Sequence, residues 1–334
     1  MRQGFNPYKD QTLEQSDYVF HVVIPVFIPN QDGYFKESFS VLKLCLQSLF
    51  QTCSYPTKIT IVDNGSCSEV SKYLQNLASE NQIQDLLQTE NIGKLNAILK
   101  GISGNKIPLV TISDSDVLFL SNWQQETVKV FNAFHKAAVV GLTPQFKMYE
   151  SCPNVIFDTF FSKKLQFRKP INPDAMYKFY DSIGWEYNYN QDYLKFILRI
   201  EANNASACIG SGHFVATYNS AVFETLPSYF NAKMGANSES FLDEIAAFHN
   251  AWKLTTSDNF AYHIGNTPED WMQKITFSKT ENNIKLVANQ ELKRIKNWKF
   301  ALKNKVFKKI FKLNFFRRYF YKIKGLPKHV AQNY

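Results

Sequence analysis

The chain is poor in the features that mark several protein classes. Its 334 residues include 13 Gly and 12 Pro, too few for a collagen-like or low-complexity chain. Its five cysteines are odd in number and lack a CxxC pair, so they indicate neither a zinc finger nor a closed disulfide set. Residues 1–17 lack the apolar core of a signal peptide, and no apolar run approaches the ~20 residues of a membrane-spanning helix. We therefore expect free thiols and a cytoplasmic protein, in the cytosol or peripherally bound to the cytoplasmic face of a membrane.

Basic residues are concentrated at the C-terminal end. Residues 291–330 contain 14 Lys and Arg against one acid, and subtracting this +13 from the net charge of +9 leaves −4 for the rest. A basic amphipathic helix rich in aromatic residues favours an anionic membrane surface over nucleic acid as partner. A helix that packs on its own domain is the third interpretation. The apolar positions of this pattern are Ile295, Trp298, Leu302, Val306, Ile310 and Leu313, followed by Phe315, Phe316, Tyr319, Phe320 and Tyr321.

The first half of the sequence alternates between strand and helix patterns. Runs rich in β-branched or aromatic residues predict strands over 18–27, 58–62, 85–89, 107–113 and 137–143, with helical spacing between them. Such alternation predicts an α/β fold with a mostly parallel central sheet flanked by helices. The second half predicts an irregular lid or insertion over 150–200, an interrupted strand over 205–216, a helix over 239–253 and a short strand over 259–264.

Acidic turns follow two of the predicted strands. Asp114-Ser115-Asp116 follows the strand at 107–113, and Asp63-Asn64-Gly65-Ser66 follows the strand at 58–62. Ligands of parallel α/β sheets bind beyond the carboxyl ends of the strands. The two carboxylates of the first turn can converge on a hard divalent cation shared with a diphosphate, or they form a solvated turn. The second turn can approach a nucleotide base, or it is a plain turn in which Ser66 and Glu69 form a helix capping box.

Three further positions are candidates for contact with a ligand. In the turn Asn91-Ile92-Gly93-Lys94, Lys94 either meets a phosphate or is an ordinary surface lysine. His213 lies beside glycines, which suit either close approach of a ligand or a β-bulge. His263 lies within the predicted strand over 259–264; a lone histidine there is either structural or functional, and a neutral imidazole suits Mn²⁺ better than Mg²⁺.

Four segments together resemble a known family. They are VVIPVF at 22–27, ITIVDNGS at 59–66, NIGKLNAILKGI at 91–102 and VTISDSD at 110–116. In order and spacing they resemble the donor half of family-2-type glycosyltransferases with the GT-A fold, clearly over about 20–145 and more loosely over 205–270. The resemblance implies a Rossmann-like GT-A domain at 15–285, divided into a nucleotide-sugar donor half at 18–145 and an acceptor half with an insertion at 146–285. The basic amphipathic tail follows at 286–334.

The resemblance also implies roles for individual residues. Pro25 and Val26 would line the nucleotide pocket, and Asp63 would read the base, usually uracil. Asp114 would contact the ribose or the metal, and Asp116 would ligate Mn²⁺ or Mg²⁺. The predicted nucleotide-sugar-binding set is Pro25, Val26, Asp63, Asn91, Gly93, Lys94, Asp114, Ser115 and His213, and the predicted metal set is Asp116, Asp114 and His263.

Enzymes of this type usually carry an acidic pair at the start of a helix in the acceptor half, and its last carboxylate serves as general base. The match here is Asp243-Glu244, with the usual order reversed. At about 100° per residue, Glu244 lies roughly 70° from the centre of the apolar stripe that runs from Phe241 to Trp252, and Asp243 lies nearly opposite. The wheel favours Glu244 as the base and a solvent-facing Asp243, unless the helix begins at Asp243.

The sequence therefore predicts transfer of a sugar from a nucleoside-diphosphate donor, UDP-linked, to an acceptor hydroxyl with Mn²⁺ or Mg²⁺ as cofactor. Inversion is implied by the resemblance, although the same fold also supports retention. The expected partners are a glycan or lipid-linked acceptor of the cell surface or envelope and an anionic membrane, not nucleic acid; no pattern specifies an oligomeric state. One competing interpretation is a sugar-nucleotide nucleotidyltransferase. Such enzymes carry a Gly-rich, basic phosphate loop after the first strand, and residues 28–33 do not match that loop. The other is a non-catalytic glycan- or membrane-binding protein.

Overall fold

Strands and helices alternate through the part of the chain that the computed structural model describes, residues 4–6, 8–12, 16–202, 205–224, 227–233, 237–279, 284–287 and 292–334. The strands are β1 (Phe20–Val26), β2 (Thr57–Asp63), β3 (Asp85–Gln88), β4 (Leu109–Ser113), β5 (Val117–Phe119), β6 (Ala137–Gly141), β7 (Leu165–Arg168), β8 (Ile197–Ala202), β9 (Ala205–Ile209), β10 (Val215–Asn219), β11 (Trp252–Thr256) and β12 (Ala261–His263). The helices are α1 (Ser38–Thr52), α2 (Ser68–Ser79), α3 (Lys94–Ile102), α4 (Trp123–Ala133), α5 (Pro153–Thr159), α6 (Pro173–Ser182), α7 (Asn237–Phe248), α8 (Asp270–Gln273), α9 (Asn297–Phe300), α10 (Phe307–Phe311), α11 (Asn314–Ile323) and α12 (Lys328–Ala331). A π-helical segment, Ala301–Val306, joins α9 to α10.

Ten of the described strands form one sheet in the order β3-β2-β1-β4-β10-β6-β11-β9-β8-β7, and β5 pairs with β12 in a separate ribbon. β1 runs parallel to β2 and β4, β2 runs parallel to β3, and β11 runs parallel to β6. β10 lies antiparallel between β4 and β6, and β9, β8 and β7 add an antiparallel edge. Seven of the ten strands therefore point the same way, which confirms the predicted α/β class with a mostly parallel sheet.

Helices cover both faces of the sheet because the strands are apolar on both sides. Along β1, Val22 and Ile24 pack in the cluster that includes Leu46 of α1, whereas Val23 packs on the other face with Ile98 of α3. Burial of an aliphatic side chain of this size stabilises the fold by about 1.5–3 kcal/mol. Packing on both faces holds the carboxyl ends of the strands in fixed positions.

Two predicted elements end elsewhere in the structure. The segment 205–216 forms two separate strands, β9 and β10, because Gly210 turns the chain at a φ of +89°. A Cβ at Gly210 would lie 2.6 Å from the Met148 carbonyl oxygen, so glycine is needed there. The helix predicted over 239–253 ends at Phe248, since Asn250 takes a left-handed φ of +53° and Trp252 begins β11. The segment predicted as irregular contributes α5, β7, α6 and β8.

One side of the basic tail is part of the main core. Phe320 and Tyr321 are buried in the same cluster as β1, and the Tyr321 hydroxyl lies 3.0 Å from that of Tyr149. Lys324 is buried and donates to the Ser162 carbonyl oxygen at 2.8 Å. With this face the tail packs on its own domain, which is the third of the interpretations that its sequence allowed.

The other side of the tail is the predicted apolar stripe, and it points outward. Trp298 is 62% exposed and Leu313 is 59% exposed, and between them Leu302, Val306 and Ile310 are also exposed. Phe315, at 82%, extends this face into α11. Among the described residues no helix combines the length and the apolar character needed to cross a bilayer.

Candidate active site

The predicted nucleotide-binding residues meet at the carboxyl ends of β1 and β2. The parallel register places Val26 opposite Asp63, and the next backbone N–H, that of Asn64, donates to the Val26 carbonyl oxygen at 2.8 Å. Pro25 lies half-buried at the same end of β1. Pairing between segments that are distant in the chain thus assembles the edge at which such sheets bind nucleotides.

Asp63 is an acceptor that shapes this edge. Its buried Oδ1 accepts from the Ser66 backbone N–H at 3.0 Å, and its Oδ2 accepts from the Ser71 hydroxyl at 2.5 Å. The predicted capping box of Ser66 and Glu69 is wrong, because α2 begins two residues after Ser66 and the Ser66 hydroxyl accepts from the Ile28 N–H at 3.2 Å. The Gln88 side-chain amide donates to Oδ2 at 3.5 Å as a third partner, and the role of Asp63 in reading a base stays a prediction.

The turn at 91–94 is fixed against this edge. The buried Asn64 side chain accepts from the N–H of residue 92 at 2.9 Å, and the Asn91 side chain accepts from the Gly93 N–H at 3.1 Å. The Lys94 N–H then donates to the Lys233 carbonyl oxygen at 2.9 Å. The turn therefore connects the donor half to the segment that precedes α7.

Replacing Gly93 by alanine should destabilise the fold. A Cβ at this position would lie 2.7 Å from the Ala232 carbonyl oxygen, and the φ of +88° is disfavoured for alanine. Strain of this kind costs about 1–3 kcal/mol. Gly104→Ala is the matched control, because Gly104 has a φ of +78° and its Cβ would meet nothing within 4 Å in the described chain. Chemical denaturation should give the larger fall in unfolding free energy for Gly93→Ala; equal falls would mean that contact with 232–233 adds nothing.

Asp114 directly follows β4 and lies beside a lysine. Its N–H donates to the Phe214 carbonyl oxygen at 2.7 Å, and its Oδ1 lies 2.5 Å from the Lys94 Nζ. Burial raises the pKa of the Asp114 carboxyl; the Lys94 ammonium opposes this rise and the Asp116 charge adds to it. Ser115 lies half-buried between the two acids. The turn thus places the Lys94 ammonium group beside the acidic pair Asp114 and Asp116.

Asp116 meets His263 across the β5–β12 ribbon. The antiparallel pairing brings His263 to the start of β5, and the next backbone N–H donates to the Asp116 carbonyl oxygen at 2.8 Å. The His263 Nε2 lies 3.4 Å from the Asp116 Oδ2. The Nδ1 lies 3.0 Å from the Ser182 Oγ, which donates its own proton to the Phe179 carbonyl oxygen at 2.8 Å. Ser182 therefore accepts from Nδ1–H, and in the neutral ring the Nε2 lone pair faces Asp116.

Asp116 and His263 have the chemistry of metal ligands. The Asp116 Oδ1 is buried and accepts no hydrogen bond from any residue that the structure describes. Burial lowers the pKa of His263, but the hydrogen bond and charge of Asp116 outweigh it and raise the pKa above its usual value, so the pocket attracts positive charge. Across the described ranges, no three His, Cys, Asp or Glu side chains form a metal cluster, and Asp114 is paired with Lys94. A bound diphosphate would have to complete the coordination of a cation here.

A second charged group lies on the acceptor side. The Asp243 Oδ1 is 2.5 Å from the Lys253 Nζ, and its Oδ2 is 4.0 Å from the His213 Nδ1. The Lys253 side chain is only 5% exposed, and the Asp243 carboxylate is its ion-pair partner. His213 also interacts electrostatically with Asp114, and it therefore lies between the donor edge and α7.

The orientation predicted for the acidic pair is reversed. Glu244 is exposed, whereas Asp243 is turned toward His213 and Lys253. The apolar stripe predicted from the helical wheel is wrong, because Trp252 lies in β11. The buried stripe of α7 consists of Leu242, Ile245 and Ala246. Glu244 falls nearly opposite that stripe and Asp243 flanks it. The catalytic role of either acid stays a prediction, and Asp243 is the one that faces the site.

Two residues of the site are absent from the predicted set. Lys253 has a sequence signal, since it is a lone lysine in the otherwise apolar and hydroxyl-bearing run WKLTT, but the helix predicted through 253 concealed it. Ser182 has none, because it meets His263 across 81 positions of the chain.

A comparison with protein families identifies the class. Residues 26–179 match the family model described as glycosyl transferase family 2. Three of the four motifs that carry the predicted resemblance lie wholly inside this match, which confirms the prediction. This stretch, 154 of the 334 residues, is therefore similar to family-2 glycosyltransferases, and it lies in an α/β fold with a mostly parallel sheet.

Solved structures give more distant similarities. S. aureus TarS 1–349 in complex with UDP-GlcNAc is 13% identical with a TM-score of 0.45, and the alignment covers 77% of this chain and 61% of that one. Mannosyltransferase PcManGT from Pyrobaculum calidifontis, in complex with GDP-Man and Mn²⁺, is 13% identical with a TM-score of 0.40, covering 72% and 55%. The chain thus spans about three fifths of the TarS fragment and less of the mannosyltransferase. No curated protein matches it at the required significance.

Proposed function

We propose that the protein transfers a sugar from a UDP-linked donor to an acceptor hydroxyl in a metal-dependent, inverting reaction. The observation that carries this proposal is the approach of the Asp116 Oδ2 to the His263 Nε2, 3.4 Å apart at the carboxyl edge of the sheet. A carboxylate with an unpartnered oxygen beside an imidazole is a partial ligand set, which Mn²⁺ or Mg²⁺ and a diphosphate would complete.

The donor-side residues have separate tasks in this proposal. Asp116 and His263 would hold the cation, which supplies positive charge to the leaving diphosphate. Lys94 adds a second positive charge at the same edge, since its Nζ lies 2.5 Å from Asp114. Asp114 is then placed to accept from a ribose hydroxyl when Lys94 turns to a phosphate. The buried turn around Asp63 presents backbone and side-chain groups to the base.

Asp243 is the proposed general base. It takes the proton of the acceptor hydroxyl while that oxygen bonds to the anomeric carbon and the bond from carbon to diphosphate oxygen breaks. Attack from the face opposite the diphosphate inverts the anomeric centre through a transition state of oxocarbenium character. Lys253 and His213 hold the Asp243 carboxylate in position, 2.5 Å and 4.0 Å away.

Incubation with a panel of sugar nucleotides and Mn²⁺ tests this function. Release of nucleoside diphosphate that depends on the metal and stops with chelator supports transfer. Exchange of pyrophosphate into the sugar nucleotide would instead identify a nucleotidyltransferase, and donor binding without turnover, whatever acceptor is added, would identify a non-catalytic binder. Anomeric configuration of the product, read by NMR, separates inversion from retention.

We further propose that the enzyme acts on a growing or lipid-linked glycan of the cell envelope, bound peripherally to the cytoplasmic face of a membrane. The support is the outward face of the tail, where Trp298, Leu313 and Phe315 are exposed. The exposed Lys305, Lys308, Lys309 and Lys312 lie along the same helices. Apolar area combined with basic charge suits an anionic bilayer surface. The five cysteines are free, as suits a reducing compartment.

Acidic residues on this outward face should weaken membrane binding. Trp298→Glu combined with Phe315→Glu removes apolar area and lowers the net positive charge of this face. We expect a loss of about tenfold or more in binding to vesicles of phosphatidylcholine and phosphatidylglycerol. Tyr34→Glu, at a residue 69% exposed in the donor half, is the matched control. Removal of the whole tail is unsuitable, because Phe320 and Tyr321 are buried in the core. Equal sedimentation of the double variant and the control with vesicles would contradict the proposal.

A further inference from the structure

Three exposed aromatic residues lie on α6 and in the segment that follows it, beside the candidate active site. Tyr177, Trp185 and Tyr187 are 42%, 50% and 49% exposed, and we refer to these three residues as the aromatic platform. The rings of Tyr177 and Tyr187 are stacked, with centroids 5.2 Å apart and an interplanar angle of 7°. Exposed aromatic groups close together in the chain, two of them stacked, are typical of binding surfaces.

The platform is held rigidly from below. The Tyr180 ring stacks on Phe146 with centroids 3.9 Å apart, and the Tyr180 hydroxyl accepts from the Phe146 N–H at 3.0 Å. The Trp185 ring packs edge-on against Tyr180 at 5.6 Å, and the Trp185 backbone N–H donates to the Tyr180 carbonyl oxygen at 2.9 Å. The Tyr187 hydroxyl donates to the Asp181 carboxylate. Rings that are fixed before a ligand arrives lose little entropy when it binds.

Helix α6, which carries Tyr177, contacts the predicted metal ligand His263 directly. Ser182, the last residue of α6, accepts from the His263 Nδ1 at 3.0 Å, and the Phe179 ring lies 6.4 Å from the His263 ring. Three positions separate Ser182 from Trp185, so their Cα atoms are at most about 11 Å apart. A short oligosaccharide that touches the platform could therefore reach the site of transfer.

We propose that the aromatic platform binds the pyranose rings of a saccharide acceptor, an inference that rests on the proposed sugar transfer. A pyranose has a face of C–H bonds that packs on an aromatic ring and a rim of hydroxyls that need polar partners. Asp181 and Glu186 supply carboxylate oxygens at the edge of the platform, and the Glu186 Oε2 also accepts from the Asn188 amide at 3.0 Å. Two carboxylates disfavour a polyanionic acceptor such as a polyol phosphate chain.

The kinetic test uses Trp185→Ala and Tyr187→Ala, singly and together, in the full-length protein. The double variant should raise the KM for a saccharide acceptor at least about tenfold, because each lost aromatic contact weakens binding. The donor KM and the acceptor-independent release of nucleoside diphosphate should not change. Trp185→Phe should retain most of the affinity, and Phe161→Ala, at a residue 90% exposed beyond α5, is the control for loss of a surface ring.

A binding test separates this inference from the enzymatic function. Chitotriose, maltotriose, mannotriose, poly(glycerol phosphate) and choline are titrated into the wild type and the double variant by calorimetry, without donor. Binding of a trisaccharide that the double variant loses supports the platform even if no sugar nucleotide is turned over, in which case only the proposed function fails. If donors are turned over but no trisaccharide binds, or the double variant binds equally well, the platform proposal is wrong. Binding of choline or poly(glycerol phosphate) in place of every trisaccharide would also overturn it.

Discussion

Asp116→Asn should lower metal-dependent turnover about a thousand-fold, equal to about 4 kcal/mol of transition-state stabilisation. The asparagine keeps the shape of the side chain but removes the negative charge that a divalent cation needs. It also replaces the buried, unpartnered oxygen Oδ1 or its neighbour by an NH₂ group. His263, 3.4 Å away, would then stand alone as a protein ligand. The measurement is kcat/KM for nucleoside diphosphate release across a Mn²⁺ titration.

Two comparisons make this result specific. Glu80→Gln removes one negative charge from an exposed position at the end of α2 and should leave turnover unchanged. Thermal unfolding of Asp116→Asn should stay close to that of the wild type, since Asp116 anchors the ribbon through its backbone carbonyl oxygen, which the substitution keeps. Full activity of the variant with an unchanged metal requirement would refute the assignment of Asp116 as ligand.

Asp243→Asn should have the second largest effect, a fall in kcat of about 10²–10⁴-fold, which is the usual contribution of a general base. Donor binding should persist, because Lys94 and the Asp63 edge are unchanged. Glu244→Gln is the internal control and should keep nearly full activity, since Glu244 is exposed. Steady-state kinetics with a saturating acceptor, combined with calorimetric binding of UDP, measure both quantities.

The ion pair between Asp243 and Lys253 complicates the Asp243 variant, and a second substitution resolves it. Loss of the carboxylate leaves a buried ammonium unpaired, which costs about 3–5 kcal/mol of stability. Lys253→Met in the same chain removes that unpaired charge, so the double variant should regain stability but not activity. Lys253→Met alone keeps the proposed base and should retain measurable turnover. Recovery of activity in the double variant, or inactivity of Glu244→Gln alone, would move the base away from Asp243.

The donor edge could be predicted because its residues belong to short local segments. Asp63 ends β2 and Asp114 follows β4, two strands whose apolar runs are visible in the sequence, and parallel strands bring their carboxyl ends together. The acceptor side was predicted less well, because the predicted helix continued through Trp252, which in the structure begins β11. A helix that ends earlier changes the buried stripe, and the preferred acid changes with it.

The tail, too, was predictable from the sequence only in part. Its apolar spacing was visible in the sequence and predicted an exposed amphipathic face, which Trp298 and Phe315 display. The residues that attach the tail to the domain, such as Phe320 and Tyr321, carry no periodic signal of their own. They are buried because Phe160, Phe167 and Tyr149 offer them a matching aromatic surface from a distant part of the chain.

By itself, the sequence determined the α/β class, the resemblance to family-2 glycosyltransferases and the acidic turns at the ends of β2 and β4. These features depend on local periodicity and on motifs of a few residues. Only the tertiary structure decided that His263 meets Asp116, that Ser182 orients its ring and that Asp243 faces the site. Each of these contacts joins segments that are far apart in the chain or depends on where an element ends, and strand register and packing, which no single segment encodes, select them.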